Sequence, residues 1–208
     1  MAGRPRSVDD EVIFDAVASV VTEEGPGGAT LAAVAARVGL SGPALTQRFG
    51  SKRGLLVAFA AKAASRVPEV FSRAKAVHDD PVTAVVEALV AMPGRVTSRE
   101  HLANNLALLQ MDLTDPDLRE HAVFQSRSLR VQTAVLLSEA VQVGRLADGT
   151  SPEALAMDLY TTYSGAMLTW AIDGEGTLEE WMRSNLLRTL APHLSGSASG
   201  SPPLTTGP

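Results

Sequence analysis

The chain has 208 residues, 45% of them apolar, a formal net charge of -5 and no cysteine. The apolar share suffices for a packed core, and the missing cysteines exclude disulfides, thiolate metal sites and cysteine nucleophiles together. No apolar run approaches the roughly 18 to 20 residues that span a bilayer, and MAGRPRSVDDEV has cations without a following apolar signal core, so a cytoplasmic protein with no membrane partner is expected.

Helix formers dominate and period-two alternation is hard to find, so the fold class is all-α with about nine helices. In chain order they are predicted at 8–24, 30–38, 42–48, 51–75, 81–92, 98–110, 115–144, 151–173 and 177–191. Gly25-Pro26-Gly27-Gly28 ends the first and Asp173-Gly174 the eighth. Pro81, Pro116 and Pro152 sit just inside helix starts, and Thr177 with Glu180 has capping-box form. Short Gly-punctuated helices precede 51–75 and long ones follow it. The division is a first module over 1–56, a larger one over 57–194, and a Ser/Gly/Pro tail over 195–208 that cannot bury anything.

The first module carries the clearest local pattern. Thr30 caps a helix of small and aliphatic residues, Gly39 supplies the left-handed position that ends it, and Ser41 caps the next helix with Pro43 in its first turn. Leu45 and Phe49, four apart, face inward, which leaves Ala44, Thr46, Gln47 and Arg48 outward. This is the helix-turn-helix pattern. From Arg37 to Lys62 there are five bases and no acid, whereas residues 63–208 hold 11 bases against 17 acids. Lys52 and Arg53 stand in the first turn of the next helix, where the dipole is already positive. A phosphate there would turn that penalty into attraction; the plain alternative is a solvated helix end.

Residues 12–56, VIFDAVASVVTEEGPGGATLAAVAARVGLSGPALTQRFGSKRGLL, resemble the DNA-binding domain of the TetR family of transcriptional regulators. The likeness rests on the EEG turn, the Thr before the second helix, the VGLS turn and the F-x-S-K-x-x-L-L start of the fourth helix. It implies a homodimer that reads a palindromic operator in double-stranded DNA and is released by a small-molecule effector, with no cofactor. Two departures stand out: Thr46 replaces the family's usual Tyr, and Gly42 its frequent Lys or Gln. The DNA-binding set is then Thr30, Ser41, Gly42, Pro43, Ala44, Thr46, Gln47, Arg48 and Lys52. Gly42, Pro43 and Ala44 offer only van der Waals contact, so hydrogen-bonded base reading falls to Thr46 and Gln47. Arg48 is assigned to a phosphate in preference to a guanine. Arg4 and Arg6 either enter a minor groove or keep the leader soluble.

In the larger module, Ala156, Tyr160, Tyr163, Met167 and Trp170 form one stripe of 151–173, and Leu155, Leu159, Thr162, Ala166 and Thr169 a second. A helix apolar over so much of its girth is buried on more than one side. With Leu178, Met182, Leu186 and Leu190 recurring every four residues beside Trp181, this suggests a four-helix dimer interface made by Trp170, Leu178, Trp181, Met182 and Leu186. An apolar effector is expected among helices 51–75, 98–110, 115–144 and 151–173, with Tyr160, Tyr163, Met167, Phe124, Arg127 and His101 as candidate walls. Plain core is the competing role for the aromatic and Met positions, and surface for His101, Asn104, Asn105, Gln110 and Arg127.

His78, His121 and His193 show no metal-ligand spacing. There is no G-x-S-x-G elbow, no Gly-rich phosphate loop and no H-E-x-x-H, so no enzyme is expected. The rival function is a helical adaptor that keeps the fold without ligand-controlled DNA binding.

Overall fold

The computed structural model describes residues 8–196. Along them run α1 (Asp10–Gly28), α2 (Leu31–Arg37), α3 (Gly42–Phe49), α4 (Lys52–Ser65), α5 (Val67–Val77), α6 (Pro81–Ala91), α7 (Arg99–Thr114), α8 (Pro116–Gln142), α9 (Pro152–Asp173), α10 (Leu178–Leu190) and a closing 3-10 turn, Ala191–His193. The only extended pairing among the described residues is an isolated bridge between Leu146 and Leu194. Arg4 and Arg6, and the expected tail from residue 197 on, lie outside the described residues.

Side chains set most helix starts. Asp9, Thr30, Ser41, Ser51, Asp80, Ser98, Asp115, Ser151 and Thr177 each accept a backbone N–H of the first turn they precede, satisfying donors the helix itself cannot. At α10 the pairing is reciprocal: Glu180 N–H donates to Thr177 Oγ1 at 3.2 Å and Thr177 N–H to Glu180 Oε2 at 3.0 Å. α5 has no such cap. The helix expected over 51–75 is two helices, broken at Arg66, because Pro68 cannot continue one: its ring would meet the carbonyl four residues back and it has no N–H to give. In the first turn of α5 it forfeits nothing. α1 also differs from its expected end at residue 24, since a further helical turn follows a break at Gly25 (φ 72°).

Two apolar clusters organise the chain. The smaller joins Ile13, Val17, Val20 and Val21 of α1 to Val34, Ala35, Leu45, Leu55 and Leu56, with Leu118 of α8 fully inside it and Leu108 and Met111 of α7 against it. The larger is built round α6, whose Val82, Val85, Val86 and Leu89 are buried among residues of α5, α8, α9 and α10. Ion pairs tie its rim: Arg183 makes two 2.8 Å bonds to Glu87, and Arg145 bonds Asp80 at 2.8 Å. α1 packs along α7 and α4 along α8. Asn104 Nδ2 donates to Thr22 O at 2.9 Å across the first seam.

Candidate nucleic-acid interface

α2 ends because Gly39 adopts φ 69°, a conformation costly for any residue with a Cβ. The reversal is fastened by Leu40 N–H to Ala35 O at 2.9 Å and Gly39 N–H to Ala36 O at 3.5 Å, the paired bonds of a Schellman end. Ser41 then starts α3, with Leu45 fully buried and Phe49 against Phe14, ring centroids 6.0 Å apart. The inward pair fixes which face of α3 looks out. Ser41, Pro43, Thr46, Gln47 and Arg48 are exposed, and Gly42 and Ala44 half-buried. Thr46 Oγ1 donates to Gly42 O at 3.0 Å, which turns its hydroxyl back along the helix. Gln47 makes no side-chain hydrogen bond among the described residues and stands free on that face.

The cations are not free. Arg37 bonds Glu23 and Glu24, both at 2.9 Å, and its bond to Glu23, with one from the Ser19 hydroxyl, holds the Glu23 carboxyl below its ordinary range. Arg48 donates to Val8 O and pairs with Asp10, both at 2.7 Å. Lys52 Nζ donates to Gly27 O at 2.8 Å, and Lys62 pairs with Glu11. Arg53 reaches α8: its Nε and Nη2 bond Asp115 at 2.6 and 2.8 Å, and Nη2 bonds Asp117 at 2.7 Å. Acids from α1 and α8 therefore surround the segment that is acid-free in sequence. The exposed Arg48–Asp10 pair is of a kind worth about 0 to 1 kcal/mol, whereas Arg53 is held by a bidentate bond to Asp115 and a third bond to Asp117.

The profile described as "Bacterial regulatory proteins, tetR family" matches residues 13–59, which span most of α1, all of α2 and α3 and the first part of α4. The HTH-type transcriptional repressor AcnR of Corynebacterium diphtheriae is 27% identical over 169 residues, spanning 81% of this chain and 84% of that one. Residues 13–59 are a TetR-family DNA-binding domain. SmeT, the repressor of the Stenotrophomonas maltophilia multidrug efflux pump SmeDEF, shares the fold at TM-score 0.62 and 21% identity, over 97% of this chain and 98% of its own. A TetR-family regulator from Cytophaga hutchinsonii does so at TM-score 0.69 and 15% identity, over 89% and 94%. The chain is accordingly a DNA-binding transcriptional regulator and not an enzyme.

Most of the residues expected at the dimer interface are buried within the single subunit. Leu178, Met182 and Leu186 are 3%, 0% and 0% exposed and Trp170 is 5% exposed in a single subunit, so they hold its core together and are closed to a partner. Trp181 is half-buried, its Nε1 donating to Thr169 Oγ1 at 3.2 Å. The apolar face that α9 leaves open is a different one, with Met157, Leu168 and Ile172 exposed. A four-residue repeat marks a buried stripe but does not say which of two buried stripes meets the partner.

The candidate effector residues separate into three places. Tyr160, Tyr163 and Met167 pack into the larger core, Tyr160 and Tyr163 stacked at 6.5 Å, and burial pushes the Tyr163 hydroxyl well above its ordinary pKa. Phe124 and Arg127 lie on the outer face of α8 and line an open cleft of about 610 Å³ at the α7–α8 corner. His101 Nδ1 bonds the Thr97 hydroxyl at 3.2 Å, apart from both. No membrane-length apolar helix and no cluster of metal-ligating side chains occurs among the described residues. The residue that sequence reasoning missed is Arg53, counted only as a cation of the first turn. Asp115-Pro116-Asp117 signals a capped helix start, and nothing in it announces a partner 62 residues earlier.

Proposed function

We propose that the protein is a repressor that binds a palindromic operator as a homodimer and is released by a small molecule taken up by its larger module. The observation that carries this is the fully formed helix-turn-helix whose outward α3 face, with Gln47 and Thr46, is joined through α4 and Arg53 to the helices of the second module. Base reading falls to Gln47, which is unoccupied by other bonds, and to the apolar edge of Pro43 and Ala44. Thr46 must give up its bond to Gly42 O to take part. Arg48 and Lys52 contact phosphates after exchanging their internal partners, and Ser41 and Thr30 serve first as helix caps. AcnR and SmeT are named as repressors, which supports repression here.

The dimer interface proposed is the exposed side of α9 and α10: Met157, Leu168, Ile172 and Trp181, around a shallow groove of about 360 Å³ that includes Gly165, Asn185 and Arg188. Isologous pairing would bury this apolar face against its copy. The internal pairing of Arg48 and Lys52 favours the adaptor reading only if those bonds resist phosphate, which their exposure argues against. The test is selection of bound fragments from a genomic DNA pool. An enriched palindrome supports the reading, and a pool unchanged from input refutes it.

A further inference from the structure

Apart from Arg4 and Arg6, every lysine and arginine of the chain makes a hydrogen bond or ion pair through its side chain except Arg95, Arg119 and Arg127, taken among the described residues. Two of those three line one cleft. Arg119 and Arg127 are eight residues apart on α8, about 12 Å along its axis. Between them stand Val123 and Phe124, 41% and 58% exposed, and across from them Leu113 of α7, 62% exposed. Glu120 is the one acid on these walls. A net positive cleft that leaves large apolar side chains in water is poor surface for an isolated protein. Its volume of about 610 Å³ is that of a small-molecule site.

We infer that this cleft binds an amphipathic carboxylate, its head held by an unpaired guanidinium group at one end of the cleft and its tail laid over Val123, Phe124 and Leu113. A guanidinium fork matches a carboxylate with two parallel bonds, and the apolar walls exclude a small hydrophilic anion as the preferred occupant. The site has a built-in route to the DNA-binding module. Two further wall residues, Thr114 and Pro116, flank Asp115 in sequence. Asp115 caps α8 by accepting the Asp117 and Leu118 N–H groups and also accepts both bonds from Arg53 at the start of α4. A ligand that shifts the α7–α8 corner therefore moves the carboxylate that positions α4. This second half rests on the proposed operator binding; the binding site itself does not.

The experiment uses the full chain and sodium decanoate, with 1-decanol and acetate as controls, in titration calorimetry. Saturable binding of decanoate is expected, at least tenfold tighter than either control and weakened at least tenfold in Arg119→Gln/Arg127→Gln. Those positions are exposed and their side chains unpartnered, so circular dichroism should show an unchanged fold; Phe124→Ala gives an independent reading of the tail contact. No decanoate binding, or equal affinity in the double variant and in Phe124→Ala, overturns the site. In the second arm, fluorescence anisotropy with the fragment enriched from the genomic pool should show severalfold weaker DNA binding with decanoate in the wild type and no decanoate effect in Arg53→Gln. Decanoate bound in the cleft with DNA affinity unmoved overturns the Arg53 route. Failure to enrich any fragment overturns operator binding and leaves the calorimetric result to stand by itself.

Discussion

Met182 and Leu168 sit on neighbouring helices and should fail in opposite ways. Met182 is fully buried in the larger core, so Met182→Ala removes packed atoms and leaves a partial cavity. Such truncations cost about 2 to 5 kcal/mol. Taking about 3 kcal/mol, a chain of this length should melt about 6 to 12 °C lower, while the assembly state at micromolar concentration changes only as far as folding does. Leu168 and Ile172 are 49% and 77% exposed in the subunit. Leu168→Glu/Ile172→Glu therefore costs little within one chain, but a two-fold interface would bring four new carboxylates together. The dimer dissociation constant should rise at least a hundredfold, about 2.7 kcal/mol. Sedimentation velocity and urea unfolding of both variants check this. A monomeric Met182→Ala of wild-type stability, or an intact Leu168→Glu/Ile172→Glu dimer, would refute the placement of core and interface.

Three other outcomes are expected. Gln47→Ala should relax base preference at one or two operator positions by about 1 to 3 kcal/mol each, whereas Arg48→Ala should weaken all operator variants alike and lower the salt slope by about one; base-specific loss in Arg48→Ala contradicts its phosphate role. Asp10→Asn frees Arg48 from its ion pair and should tighten DNA binding up to about fivefold at low salt, since such pairs hold about 0 to 1 kcal/mol; anisotropy showing weaker binding would count against displacement. Asp112 has a buried Oδ1 without a hydrogen-bond partner, and burial raises its pKa to about 6, opposed by His121. Between about pH 4 and 6 the folded state holds the extra proton, so stability falls as pH rises through that window and the penalty is complete above it. Asp112→Asn should recover about 1 kcal/mol at pH 7, solvent screening of a partly exposed carboxyl reducing the full value, and give no gain at pH 3.5; equal gain at both pH values would point to another cause.

The helix starts were legible because each rests on one short polar side chain next to the turn it caps, as at Thr30, Ser41 and Thr177. The α4–α5 break was equally local and turned on Pro68, whose position inside a strong apolar pattern masked it. The helix-turn-helix could be read for the same reason: Gly39, Leu45 and Phe49 do their work within ten residues. What escaped was anything settled between distant elements. The acid-free run from Arg37 to Lys62 looked like an open basic patch because Glu23, Asp10 and Asp115 lie outside it in sequence and against it in space. Residue type alone does not say that Phe124 faces away from the core that holds Tyr163.

Leu118 lies fully inside the smaller core, with Leu108 and Met111 lying against it. The first fifty-odd residues are thus completed by side chains that arrive in the chain only after α5 and α6, and in the case of Leu118 after all of α7 as well. Until α8 emerges from the ribosome, the N-terminal segment leaves uncovered the apolar face that Leu108, Met111 and Leu118 close in the native state. Gene fusions that borrow only residues 1–60 as a portable reader would inherit that open face and its tendency to aggregate.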